Sequence, residues 1–313
     1  MKQDLVNLAR KYPVAVVLLV IVIAVSLIAE NYFSGENIFN VLRQISVIGI
    51  LSCGMTFVII SGGIDLSVGA IISFAGALFI NSVKQFGTIP AILVTLLAGI
   101  LFGFISGTII SKINGKLGES FMVTYGMQTV IVAITLLYTG GIYQSAPNDE
   151  LFTRIGRGIA PILIFVVIVS IMQFILTKSR FGRRVYFLGG NTDASRLSGI
   201  RVGLNRLAVF AISGLLAAAA AIVLTSRVGT ASPTAGVGYE LDAIAAVVVG
   251  GVSMSGGQGS ILNTLLGVII MGVLGNALNM LNISAYPQLI MKGVIIVLSV
   301  TLDAWNRRKD VTR

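Results

Sequence analysis

Histidine is absent from the chain, and cysteine occurs once, as Cys53. Without histidine there is no Ser–His dyad, no imidazole metal ligand and no histidine proton relay. A single thiol excludes a cysteine-based zinc site and a disulfide framework. Cys53 lies within an apolar run and reads as a small packed side chain. A phosphate-binding GxxxxGK[ST] loop is also missing, since Gly115-Lys116 is followed by Leu117. The chain therefore has no P-loop of its own. Charge is scarce, with 11% of residues Asp, Glu, Lys or Arg. No acid stands at the middle of a clear apolar run, where an ion-driven carrier keeps its proton or sodium site.

What the chain has instead is long apolar sequence, 56% hydrophobic over 313 residues. Several runs reach about 18–22 residues without a charge, enough for a ~30 Å hydrocarbon slab. A transmembrane barrel would show alternating strands of about ten residues instead. The fold class is an all-α polytopic membrane protein with about ten transmembrane helices. It reads as one membrane domain over residues 1–313, with a polar loop at 177–206. The apolar runs cover residues 13–29, 45–60, 66–80, 91–110, 121–138, 159–176, 207–226, 241–252, 261–281 and 287–305. The first is too long, and its flank too bulky, for a cleaved signal peptide. The eighth is short and reads as a crossing extended by polar ends or shortened by a break. The 36 glycines suit helices that pack closely in lipid.

Basic residues mark the sides. With both termini inside and ten crossings, 16 of the 22 Lys/Arg fall on inside segments. That bias places residues 177–206 in the cytoplasm. It also accounts for the net charge of +10 without nucleic acid. Within the interval, Asn191 reads as an N-cap, followed by about two helical turns through Ser198 and a stop at Gly199. Such a capped mini-helix has three possible jobs: lying on lipid headgroups, closing a turn, or docking a partner.

Polar residues within the runs are candidates for a gate or a pathway. Asp65 follows Gly62-Gly63 and opens a helix, either as an N-cap or as a hinge element. Glu240 and Asp242 open the eighth run, either beside a helix dipole or in a polar vestibule. Lys292 reads as a snorkelling or paired cation. Thr124 and Gln128 are four apart and share a helix face, as do Asn276 and Asn279, three apart. Each face serves either interhelical hydrogen bonds or the passage of a hydroxyl-rich solute.

Three blocks of sequence carry a resemblance. They are SGGIDLSVGA at residues 61–70, LGGNTDASRLSGIRV at 188–202, and PTAGVGYELDAIAAVVVGGVSMSGGQGSI at 233–261. In this order, and with these apolar runs, the chain resembles the permease subunits of bacterial ABC importers of the ribose/xylose/galactose class. The resemblance implies a fold of the vitamin-B12-importer type in the bacterial inner membrane. It implies a pore formed with a second copy of the permease, and no catalytic activity of the chain's own. Two cytoplasmic ATPase domains, usually fused in one polypeptide, would bind ATP and Mg. A sugar-binding protein outside the cytoplasm would deliver a monosaccharide. Asn191, Ala194, Ser195, Arg196, Leu197, Ser198, Gly199 and Ile200 would then form the element seated in the ATPase. Ala194, Leu197 and Ile200 would supply its apolar ridge, with Arg196 and Arg201 beside it.

Overall fold

The computed structural model describes residues 32–115 and 117–311. The first apolar run, residues 13–29, lies outside them. The described chain begins with helices α1 (Gly35–Ile60), α2 (Ser67–Phe86), α3 (Thr88–Lys112) and α4 (Leu117–Thr139). A two-residue strand β1 (Gln144–Ser145) and a short helix α5 (Glu150–Gly156) precede α6 (Ala160–Lys178). The basic interval then holds α7 (Arg180–Gly190) and α8 (Thr192–Leu197). After it come α9 (Val202–Val228), β2 (Thr230–Ala231), α10 (Tyr239–Val249), α11 (Ile261–Met280) and α12 (Ala285–Val311).

Among the described residues seven helices are long and apolar enough to cross a bilayer: α1, α2, α3, α4, α6, α9 and α11. They match the second to seventh and the ninth apolar runs. In α12 the apolar stretch is Ala285–Leu298. The helices differ in how much of their surface is covered. α1 is buried on every side from Ile45 to Ile60 and forms the centre of the core. α4 and α6 bury only a stripe each and leave most of their apolar surface open, as lipid-facing helices do. The tightest crossing joins α3 to α9. Gly99, Gly103 and Gly107, four apart on α3, lie against the backbone of Gly214, Phe210 and Leu207 on α9. With no side chain between the helices, their backbones meet directly, which is how small residues bind helices in lipid.

Consecutive helices run between two opposite faces. One face carries the antiparallel ribbon of β1 and β2, with Gln144 opposite Ala231. It also holds the bond from Thr88 Oγ1 to Asp149 Oδ1, 2.7 Å. The start of α1 and the end of α11 are tied there by reciprocal amide bonds between Asn37 and Asn276, 2.8 and 3.1 Å. The other face carries α7, α8, the end of α1 and the loop before α11.

The eighth apolar run is a broken element. α10 has 11 residues, about 16 Å of helix, or roughly half a hydrocarbon core. The remainder is non-helical chain descending beside α2. Ala231 lies near Gly76, Gly236 N–H donates to Ser73 Oγ at 2.9 Å, and Glu240 reaches Gly69. From Gly76 to Gly69 is about 10 Å along the helix. α10 continues toward the start of α11, where Gly250 meets Asn263. Irregular backbone at membrane depth is tolerated only where protein covers it, and Gly236 and Pro233 are buried. The segment from β2 to α11 thus connects the ribbon face to the α7 face.

Candidate functional site

The basic interval folds as two helices, of which the sequence reading anticipated one. Ser179 caps α7 by accepting Gly182 N–H, 2.9 Å. The inward face of α7 is Gly182, Val185 and Leu188, and its arginines point away. The spacing of Val185 and Leu188 behind a Ser N-cap was the available signal. α8 is closed at both ends as expected. Asn191 Oδ1 accepts Ala194 N–H at 2.9 Å. At its other end, Ile200 N–H donates to Ser195 O and Gly199 N–H to Arg196 O, at 3.0 and 3.1 Å. This is a Schellman stop, and Gly199 takes the left-handed φ of 79° that it requires.

The exposed part of α8 is an apolar knob. Leu197 is 90% exposed, Ala194 is exposed and Ile200 half-buried. Ser195 is turned inward and buried, its hydroxyl bonded to Asn191 O at 2.8 Å. It therefore belongs to the frame of the helix rather than to its surface. Arg196 donates to Asn114 Oδ1 at 2.8 Å, tying α8 to the turn after α3. Between α7 and α8 is a hollow of about 510 Å³ walled by Tyr186, Phe187, Ala194 and Ile200.

Behind this knob three glycine-rich segments converge, one from each block of sequence singled out above. Gly189, at the end of α7, lies against Ile60 O and Gly257 N. Gly257 N–H donates to Ile60 O at 2.8 Å. Gly256 packs on Gly62 and Gly189. Tyr186 Oη donates to Gly259 O at 2.7 Å. Burial pushes the Tyr186 phenol above its ordinary value, which keeps it protonated as a donor. α7 is thus in direct backbone contact with the end of α1 and with the loop that follows α10.

The polar residues expected at a gate or pathway each bond to a neighbouring element. Asp65 is fully buried, accepting from Ser67 N–H and Ser67 Oγ at 3.0 and 2.6 Å and from Ser213 Oγ at 2.8 Å. It clasps the start of α2 to α9. Thr124 accepts Leu66 N–H at 3.1 Å, and Gln128 donates to Glu240 at 3.4 Å. Their shared face is covered by the loop before α2 and the start of α10. Glu240 also accepts Gly238 N–H at 3.1 Å. Asp242 is ion-paired with Lys292 at 2.7 Å, joining α10 to α12. Asn276 and Asn279 part company: Asn276 is buried against Asn37, whereas Asn279 is exposed and accepts from Gln288 Nε2 at 3.0 Å.

Beneath the ribbon lies a second hollow, of about 280 Å³, between α2, α9 and the descending segment. Its walls include Ser73, Tyr143, Thr225 and Tyr239. These residues were not anticipated, because each comes from a different element and none forms a motif in sequence.

The seven helices long and apolar enough to cross a bilayer define a polytopic α-helical membrane protein. Residues 37–300 match a family described as branched-chain amino acid transport system / permease component, and the chain belongs to this permease family. It is 44% identical over 305 residues to the ribose import permease protein of Haemophilus influenzae, covering 95% of this chain and 94% of that one. To the ribose import permease protein of Bacillus subtilis it is 42% identical over 294 residues, 91% and 90% of the two chains. To the fructose import permease protein of Rhizobium meliloti it is 32% identical over 324 residues, 98% and 89%. No solved structure matches the chain.

Proposed function

We propose that this chain is the membrane-spanning permease subunit of an ATP-driven importer of a monosaccharide, with D-ribose as the substrate. The observation that carries the reading is likeness to ribose import permeases along nearly the whole chain. In this reading the chain has ten crossings in a fold of the vitamin-B12-importer type, with both termini in the cytoplasm. The α7 face is the cytoplasmic one, because Lys112 and the seven Lys/Arg of residues 178–206 gather there. A second copy completes the pore. A cytoplasmic ATPase subunit, carrying two fused domains, binds ATP and Mg. A sugar-binding protein docks on the ribbon face.

In this reading coupling runs through the α7 face. α8 seats Leu197 in the ATPase, with Asn191, Ala194, Arg196, Ser198, Gly199 and Ile200 framing the knob. Closure of the ATPase pushes α7, and the glycine junction passes that push to α1 and the broken crossing. A capped helix transmits force where an open loop would absorb it, and packed contacts switch between arrangements rather than stretch.

The test is uptake into proteoliposomes holding the permease, its ATPase and its binding protein. ATP-dependent accumulation of unmodified D-ribose is expected, insensitive to ionophores. Uptake on an ion gradient alone would replace this reading with a secondary carrier, chemical conversion of the sugar with an enzyme, and uptake of leucine but not ribose with an amino-acid importer. In a Cys53→Ala background, Leu197→Cys should be labelled only from the cytoplasm and Asn148→Cys only from outside.

A further inference from the structure

We propose that the hollow beneath the ribbon is a monosaccharide site held within a single chain, in which the solute rests on its way from the ribbon face to the pore. The proposal rests on the sugar-importer reading and says where in the chain the sugar sits. The hollow measures about 280 Å³. That is close to the lower bound of roughly 300 Å³ for ligand pockets, a size suited to one sugar ring and a water or two. Six of its wall residues bear hydroxyls: Ser73, Tyr143, Thr225, Thr230, Ser232 and Tyr239. None of its wall residues is charged. The acid on the next turn of α10, Asp242, is already paired with Lys292.

The hydroxyls are available. Among the described residues no hydrogen bond engages the side chains of Tyr143, Thr225, Thr230 or Tyr239. Thr225 is 3% exposed and is one of the residues that wall the hollow. Ser73 Oγ accepts Gly236 N–H and retains its own proton to donate. A hydroxyl unpaired within the protein keeps its donor and acceptor for a bound polyol. Leu224 and Val228 provide an apolar wall. The C–H face of a sugar ring suits that wall and the two tyrosine rings, while its hydroxyls suit Thr225, Ser73 and Tyr239. The wall itself offers an ionic solute no charged partner; Arg227 and Asp242, the charges that act on Tyr239, lie outside it.

Gly76 opens this space. A Cβ there would stand 2.7 Å from Thr225 Oγ1, inside van der Waals contact. The ribbon roofs the hollow from the loop side, through Tyr143 just before β1 and Thr230 and Ala231 of β2. The descending segment forms its inner wall and leads directly to α10. A solute leaving the hollow along that segment therefore reaches the broken crossing, the part of the bundle in contact with the glycine junction.

The experiment uses the complete assembly of permease and ATPase in lipid nanodiscs, titrated with radiolabelled D-ribose. The wild type is expected to bind saturably, one sugar per permease chain. Thr225→Val combined with Tyr239→Phe keeps the volume and removes two hydroxyls. It is expected to raise Kd at least tenfold and to slow uptake in proteoliposomes, while still co-purifying with the ATPase. Thr225→Ser, which restores a hydroxyl, should bind within threefold of wild type. If the double variant binds and transports like wild type, or if a wild type that imports ribose holds none on the permease, the site is refuted and the importer reading stands. If the wild-type assembly with its binding protein imports no ribose, both fall.

Discussion

The α7 face and the ribbon face are both built from short glycine-containing segments, yet they use glycine for opposite ends. At the α7 face Gly189, Gly256 and Gly257 remove side chains so that three backbones touch. At the ribbon face Gly76 removes a side chain so that a hollow stays open beside Thr225. A close-packed contact passes displacement on, whereas a hollow accommodates a guest. The residue type is the same. What differs is whether the facing atom is backbone already in contact or a hydroxyl set back across a cavity.

Gly189→Val should break that contrast most severely. A Cβ at 189 would overlap Ile60 O, which is main chain and cannot swing away. The expected cost exceeds about 4 kcal/mol, in the range reserved for gross overpacking. The measurement is the yield and thermal stability of purified permease. Gly190→Ala is the neighbouring control, because an added Cβ there meets nothing within 4 Å. Equal stability of Gly189→Val and wild type would mean that the junction is not closed in the working protein.

Leu197→Asp should act on the same face without touching the fold, since Leu197 is 90% exposed in the lone chain. In the assembly it would set a charge in an apolar contact, at an expected cost of about 3 kcal/mol. ATPase-subunit affinity should fall roughly 100-fold, read by co-purification and then by ATP-driven uptake. Normal binding with normal uptake would remove α8 from coupling and leave it as a lipid-facing or turn-closing helix.

The two faces were unequally legible in sequence. Apolar runs announced every described spanning helix, because length and hydropathy decide membrane crossing before tertiary contacts do. The mini-helix was also legible, because Asn191 and Gly199 are local signals. The shortness of the run at 241–252 was visible, but its non-helical half was not. That half is held by Ser73 and Gly69 of a distant helix. Shared helical faces were legible, but what covers them was not. Thr124 and Gln128 do lie on one side of α4, where Thr124 meets the loop before α2 and the half-buried Gln128 meets Glu240. Asn276 and Asn279 are three apart, yet only one is buried. Periodicity states which residues share a direction, and only the neighbouring element decides whether that direction is filled. The hollow beneath the ribbon was illegible for the same reason, being assembled from three helices and a ribbon.

The smallest expected effect sharpens the comparison through pH. The α7 face is held by backbone contacts and by the Tyr186 phenol and Arg196, none of which changes charge in acid, whereas the ribbon face leans on Asp149. Its carboxylate accepts Phe152 N–H at 2.9 Å, capping α5, and Thr88 Oγ1 at 2.7 Å, tying α5 to the start of α3. These bonds favour the charged form and hold the Asp149 pKa below the usual carboxylate value, with the Phe152 amide the largest cause. A depressed folded pKa contributes stability that is present above the unfolded value of about 3.9 and is lost as pH falls through the folded one. α5 should therefore be indifferent to pH from neutrality to about 5 and loosen below about 4. Asparagine caps a helix nearly as well as aspartate, so Asp149→Asn should change stability little at neutral pH and abolish the acid-side loosening. Hydrogen exchange at the Phe152 amide, corrected for intrinsic rate, reads this directly, with the Gly257 amide as the α7-face reference. Acid loosening that persists in Asp149→Asn, or appears equally at Gly257, would show that the two faces do not differ in this way.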